Sequence, residues 1–414
     1  MNELTHADVL VLGGGASGIA AAVAAAKAGL QVALIERNPF LGGLATAAEV
    51  GTICGLYKFS KKESSEYIAG RFAKDFAECL KIKSGTKPLF NPSGLHYLPY
   101  HIEAFKKLCS DLLDEHKVKR FLNTKLYSLS RSDTKIESVS VNTEGESFRF
   151  TIGSVIDCSG DGLLSQLADL PLIKSEHYQA AAQVFTLQNL NETDESILGL
   201  VLMKELRRAI KEKKLALYFD RVYVIPGSLT HHCVSIKIGL PLDVTHAPEN
   251  LHELKRVAHT FIHELTGYLI QHVPVFKNAS VLHIAPQVGI RVGLRTTGRY
   301  ILTEEDVLQC KKFEDGIANV SWPIEEWEQD RRVKIRYLKE DDFYQIPARC
   351  LQSNTMDNLF TAGKCISATD AAIASARVMG VCLQTGYSAG FMAAASALNT
   401  PLADTIKQIR EREL

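Results

Sequence analysis

Two kinds of hydrophobic spacing run along this chain. Val9 to Leu12 is an unbroken apolar run, which predicts a strand buried on both faces of a parallel sheet. The alanine-rich stretch from Ala20 to Lys27 favours helix and stops at Gly29, and a second apolar run follows from Gln31 to Ile35. Between Val118 and Phe150 the pattern changes to short alternating runs, "KRFLNTKLYSLSR", "KIESVSVNT" and "SFRFTIG", separated by polar turns, and these predict strands. "SVIDCSGDGLL", Ser154 to Leu164, is another buried strand that breaks into a Gly-Asp-Gly turn. Leu200 to Lys213 and Leu251 to Gln271 carry helical apolar spacing, while "RVYVIPG" and "CVSIKIGLPL" predict strands. Near the end, "NLFTAGKCISATDAAIASARVMGVCLQTGYSAG", Asn358 to Gly390, reads as a strand, a glycine turn and a small-residue helix starting near Val378 to Val381. The fold class expected is α/β, a Rossmann-like domain with an inserted mixed α+β region.

The chain has 414 residues, 46% hydrophobic and 23% charged, the balance of an ordinary globular protein with two interleaved domains. Basic and acidic residues number 47 each, so no overall field draws the molecule to nucleic acid or an anionic membrane. Nine cysteines stand singly, without the paired spacing of zinc or iron–sulfur sites. His231-His232 lacks a third ligand at sensible spacing, and no metal is expected. The run Gly18 to Leu30 is well short of the ~20 residues a membrane span requires. With no leader before Asp8, a reduced cytoplasmic setting is the expectation.

Gly13, Gly15 and Gly18 fall in GxGxxG spacing between the first strand and the first helix. The first glycine makes the turn, the second lets a pyrophosphate touch backbone, and the third lets helix and strand pack closely. Free N–H groups at Ala16, Ser17 and Gly18 would face the phosphates. Glu36 ends the second strand, placed to accept hydrogen bonds from ribose hydroxyls and to disfavour a 2′-phosphate. A lone GxGxxG also serves simple chain reversal, but here strand, helix, second strand and acid agree.

Whether the dinucleotide is a nicotinamide or a flavin turns on "ERNPFLGGLAT", Glu36 to Thr46, where a simple nicotinamide dehydrogenase needs no second glycine pair. Together with "VIDCSGDG", "GRYILTEEDV…KFEDGIA" and "IPARCLQSNTMDNLFTAGKCISATDAAIASARVMG", it resembles FAD-dependent oxidoreductases of the glutathione-reductase and fumarate-reductase type. With the opening fold, these segments reach across about half the chain. The resemblance implies noncovalent FAD held by Arg37, Gly42, Gly43, Leu44, Ala45 and Thr46 after the second strand. It also implies contacts from Ser159, Gly160 and Asp161 at the returning strand, and from Gly363 and Lys364 at the late turn. Val378, Gly380, Val381 and Cys382 would aim a helix N-terminus at the flavin N1/O2 edge. By the same resemblance the alternating strands form a β-meander, with Leu126 near the adenine. Residues 1–54, 99–171 and 345–414 would then form the FAD domain, and 55–98 and 172–344 the substrate or cap region.

For chemistry, Arg377 leads because it precedes that helix, where a guanidinium can clamp a carboxylate or stabilise reduced flavin. Arg291 and Arg295 would share one face at i and i+4 if their stretch is helical. Tyr57, with Lys58, follows the "EVGTICG" loop and is a proton-transfer candidate. The sequence departs from its resemblance at Val292, where an acid is common, and at Asp370, where a histidine is common. No histidine stands in "GGLATAAEVG" to anchor flavin covalently. Cys158, Cys365 and Cys382 are expected to be packing residues.

The reading is hydride transfer between a small organic substrate and FAD, with the electron donor or acceptor and the oligomeric state open. The rival readings are a flavin monooxygenase or halogenase, and a flavin-bearing sensing subunit without turnover of its own.

Overall fold

The computed structural model describes residues 4–175, 178–245, 247–328 and 333–414. Its main sheet is built on Leu4–Leu12, which pairs in parallel with Val32–Ile35 on one side and with Glu146–Asp157 on the other. Lys119–Phe121 extends the parallel sheet beyond Val32–Ile35, and Leu359–Thr361 pairs in parallel with the C-terminal end of Glu146–Asp157. Val32–Ile35 is buried at every position, as its unbroken apolar run predicts. Thr124–Arg131 and Ile136–Thr143 add the antiparallel meander. "SFRFTIG" and "SVIDC" are one twelve-residue strand rather than two, because the same strand serves the meander at its start and the parallel sheet at its end.

The alanines of Ala16–Lys27 have a packing reason. A Cβ on Gly386 would lie 2.1 Å from the Ser17 carbonyl oxygen, and one on Gly390 2.3 Å from that of Ala21. Both glycines belong to Met379–Ala397, so two helices of small residues cross with their backbones nearly touching. The helix begins where the sequence reading puts it, but Asp370–Ala376 is a separate helix ahead of it, capped by the Thr369 side chain. On its outer side Tyr387 stacks on Phe72 of Arg71–Ser84, with ring centres 4.4 Å apart. Phe72, Phe76, Ile346 and Leu351 share one apolar cluster with the first helix.

Ala182–Gln188 forms the middle of a second, antiparallel sheet in the order Val222–Val224, Val234–Gly239, Ala182–Gln188, Ser280–Ile284. Leu198, Leu202 and Leu206 of Glu195–Lys211, with Ile262, Leu265 and Leu269 of Pro248–His272, pack on Phe185, Ile236 and Ile238. Side chains alternate along a strand, so Val184, Tyr223 and Lys237 occupy the opposite face. That face turns toward the nucleotide-binding fold, where Ile225 packs against Gly51. Among the described residues no helix is long and apolar enough to cross a membrane.

Candidate functional site

Gly13 and Gly18 of the first turn answer close approaches. A Cβ on Gly13 would lie 2.5 Å from the Cys158 carbonyl oxygen, and one on Gly18 only 1.8 Å from that of Gly13. Gly42 N–H donates to the Gly14 carbonyl at 2.8 Å, and a Cβ on Gly43 would come within 2.8 Å of Gly15 Cα. Two bare backbones thus meet at the start of Ala16–Lys27, whose first N–H groups have no acceptor within the helix. A side chain at either glycine would fill this cradle, which suits a pyrophosphate. Leu44–Ala47 follows as one short helical turn, with Thr46 Oγ1 donating to the Leu41 carbonyl at 2.7 Å and Ala45 buried.

Glu36 is 4% exposed and ties the cradle together. Its Oε2 accepts from Gly14 N–H at 2.7 Å, and its Oε1 accepts from the Asn38 backbone at 2.8 Å and side chain at 2.7 Å. Arg37 beside it is exposed. Leu126 is buried in the apolar cluster of the meander, together with Leu12 and Ile35.

The returning strand delivers a turn held by a residue the sequence reading passed over, Asp157. Its Oδ1 accepts from Ser159 N–H and Oγ–H, and its Oδ2 from Leu164 N–H at 2.8 Å. Burial pushes this carboxyl above the usual range, with the turn's donors opposing the shift. Cys365 Sγ accepts from Gly160 N–H at 3.0 Å, so this cysteine organises the turn as well as packing. Lys364 crosses Gly160 and donates to the Ile290 carbonyl at 3.0 Å. Gly363, at φ +71°, sits against the Ser17 side chain. Asp161 fits because Gly293 has no side chain, since a Cβ there would lie 2.1 Å from its Oδ1.

The start of Met379–Ala397 meets the loop after "EVG". Gly380 N–H donates to the Cys54 carbonyl at 2.9 Å, Val378 touches Gly55, and Val381 is fully buried. Cys382 Sγ donates to the Arg377 carbonyl at 3.1 Å. The Arg377 guanidinium donates to Gln179 Oε1 at 2.9 Å and to the Glu325 carbonyl at 3.3 Å.

Arg291 donates to the Ala180 carbonyl and lies over the Trp327 ring, 4.4 Å from its centre. Lys237 Nζ is 5.2 Å from the same ring centre. Burial, with the Arg291 guanidinium next, pulls the Lys237 ammonium down to about 8. Burial and then Arg377 draw Arg291 below the ordinary arginine range, and burial lowers Arg377 as well. Cys54 is driven the other way, to about 12, by burial and then by Glu325. Arg221, Tyr223, Lys237, Arg291 and Trp327 line a shallow cleft with Ala180–Ala182 and Gly239.

Arg295 is not on a helix face with Arg291. It lies in the strand Arg295–Thr296, paired with Leu172–Ile173, and Gly293 ahead of it passes close against the Gly160–Asp161 turn. Arg295 is 0% exposed and spends its NH2 on Asp370 at 2.5 Å and its NH1 on Ser175 at 3.1 Å. Tyr57 is buried, and its hydroxyl lies 3.3 Å from that of Tyr67, which donates to Glu78 at 2.6 Å. Burial pushes Tyr57 up to about 12.

A family model described as FAD dependent oxidoreductase matches residues 8–411. The chain belongs to that family. FAD is therefore the cofactor of this oxidoreductase, and the paired glycine loops fit its pyrophosphate. No curated protein sequence matches the chain. Among solved structures it shares its fold with BexE, connected with oxidation during BE-7585A biosynthesis, at 13% identity and a TM-score of 0.50, covering 98% of this chain and 65% of that one. A geranylgeranyl bacteriochlorophyll reductase-like protein from Thermoplasma acidophilum is also similar, at 13% identity, TM-score 0.49, and 99% and 83% coverage. The flavin-dependent brominase Bmp2 gives 13% identity, TM-score 0.49, and 98% and 83% coverage.

The oxidoreductase carries chemistry-bearing side chains that sequence reasoning missed. Lys237 sits at an alternate position of "CVSIKIG" whose partners are Ser235 and Gly239, a pattern that reads as a solvated face until the face is seen to be covered. Trp327 and Glu325 carry no periodic signal, whereas Gln179 is found only through its contact with Arg377.

Proposed function

We propose that this oxidoreductase transfers hydride between a small organic substrate and noncovalently bound FAD. The observation that supports it best is the cationic cluster of Lys237, Arg291 and Arg377, beside the Cys54 loop that caps the start of Met379–Ala397. When bound, FAD supplies the two-electron redox step. The protein's residues would hold the cofactor at Gly13, Gly15, Gly18, Glu36, Gly42 and Gly43, and would orient the substrate with Arg377 and Arg291. In this reading residues 1–54, 99–171 and 345–414 carry the cofactor, and the sheet within 172–344 presents the substrate.

The direction of transfer and the second electron partner are settled by experiment. Purified holoenzyme is mixed anaerobically with panels of hydroxy acids, amino acids, enoates and sugars, with flavin absorbance as the readout. Bleaching by a donor, or reoxidation of photoreduced enzyme by an acceptor, supports hydride transfer. Failure of every panel, with oxygen consumed to give a hydroxylated or halogenated product, would replace it with the monooxygenase reading.

A further inference from the structure

We infer that the cleft between Lys237, Arg291 and Trp327 is a carboxylate subsite, and that the substrate is a small organic acid with its carboxylate held by these two cations. This deepens the hydride-transfer reading and rests on it for the word substrate, while the binding itself stands on the cleft.

The charges are the first ground. Among the described residues no carboxylate makes an ion pair with Lys237, Arg291 or Arg377, and Glu325 is the acid whose field reaches all three. All three are partly exposed, and cations held this close repel one another unless an anion joins them, so such a cluster marks a place where one binds. The donors are the second ground. Lys237 Nζ makes no hydrogen bond among the described residues and rests near the Trp327 and Tyr223 rings, while Arg291 commits one N–H group to Ala180. An ammonium and a guanidinium with donors to spare are what a carboxylate's two oxygens need.

Wall chemistry narrows the ligand. The walls are Trp327, Tyr223 and the Ala180–Ala182 backbone, which favour an anion on a hydrocarbon body over a fully hydrated inorganic ion. Position completes the case. Lys237 and Arg377 both act on Cys54, whose carbonyl holds the start of Met379–Ala397, so an acid seated here lies beside the expected flavin edge.

The test is calorimetric titration of the FAD-loaded enzyme with sodium benzoate, benzamide and inorganic phosphate, in the wild type, Lys237→Met and Lys237→Arg. Benzoate should saturate, weaken by about tenfold or more in Lys237→Met, and recover in Lys237→Arg, as loss of one charge-assisted contact implies. Benzamide should bind about tenfold more weakly than benzoate, since it lacks the charge. Equal benzoate affinity in wild type and Lys237→Met, equal affinity for benzamide, or tighter binding of phosphate than of benzoate would each overturn the subsite. The two readings fail separately. Lys237-dependent benzoate binding with no donor bleaching the flavin would retain the subsite and sink hydride transfer. A neutral donor that bleaches wild type and Lys237→Met at the same rate would retain hydride transfer and sink the organic acid as its substrate.

Discussion

Asp370 lies 2.5 Å from Arg295 and is the acid paired with a guanidinium that is 0% exposed. The pair joins the start of Asp370–Ala376 to the strand Arg295–Thr296, and Ser175 bonds to both residues. Removing Asp370 leaves the arginine buried with a hydroxyl and little else, a change that in buried pairs costs about 3–5 kcal/mol. Because the Asp370 side chain is 39% exposed, water can reach the vacated position and the lower end applies. Asp370→Ala should therefore lose about 3 kcal/mol of unfolding free energy in urea. A loss within about 0.5 kcal/mol, the scale of an ordinary surface substitution, would show that the pair contributes nothing.

The cradle makes a sharper demand at Gly18. With the Gly13 carbonyl 1.8 Å from a Cβ there, Gly18→Ala must push the first helix off the turn, whereas Gly199 has nothing within 4 Å of its Cβ. Overpacking of this kind costs about 1–3 kcal/mol and displaces the helix start from the phosphates. Gly18→Ala should be purified nearly colourless, and Gly199→Ala as yellow as wild type. Absorbance at the flavin band relative to 280 nm checks both, and full flavin content in Gly18→Ala would refute the close-approach argument.

Glu36 raises a different expectation, because its oxygens already hold Gly14 and Asn38 and so shape the loop as well as offering acceptors to a ribose. Glu36→Gln keeps the volume but turns one acceptor into a donor facing an N–H, and Glu36→Ala removes both acceptors. Hydrogen bonds to a charged group are worth about 1.5–3 kcal/mol each, so FAD affinity should fall by at least about tenfold in both variants. Dialysis followed by flavin fluorescence measures the loss. Normal retention in Glu36→Ala would remove Glu36 from the cofactor site.

Much of the nucleotide-binding half was legible in the sequence. Gly13 and Gly18 announce themselves because backbone contact tolerates no substitute, and Val32 to Ile35 because a strand covered on both faces cannot alternate. Asp157 was less visible, since an acid at the end of an apolar run looks like a strand terminus, and only its donors from Ser159, Leu164 and Cys365 reveal a buried organiser. The Arg291–Arg295 stretch misled because i, i+4 spacing is shared by helices and by extended strands with a turn between. Lys237 and Trp327 come from elements more than eighty residues apart, and their meeting is a property of how the second sheet docks rather than of any local pattern.

Lys237 also sets a pH dependence. The groups facing it are Arg291, Arg377, Glu325 and Cys54, with Arg221, Tyr223 and Trp327 around the cleft. Cys54 is pushed up to about 12 and Arg291 is drawn down only to about 9, so Lys237 is the first of these groups to change state, near 8. Its folded value lies below the ordinary lysine value, so its charged form is a cost to folding that is present below about 8 and vanishes as pH rises toward 10.5. Anion binding has the opposite sign, because the ammonium that costs stability is the form that holds a carboxylate. Benzoate affinity in the FAD-loaded enzyme should be level between pH 6 and 7.5, then fall as pH climbs through about 8, approaching about tenfold per unit. A bound anion favours the ammonium, so the midpoint should move upward as the site fills. In Lys237→Met the profile should be flat across the same range, and an unchanged pH slope in that variant would assign the titration to another group.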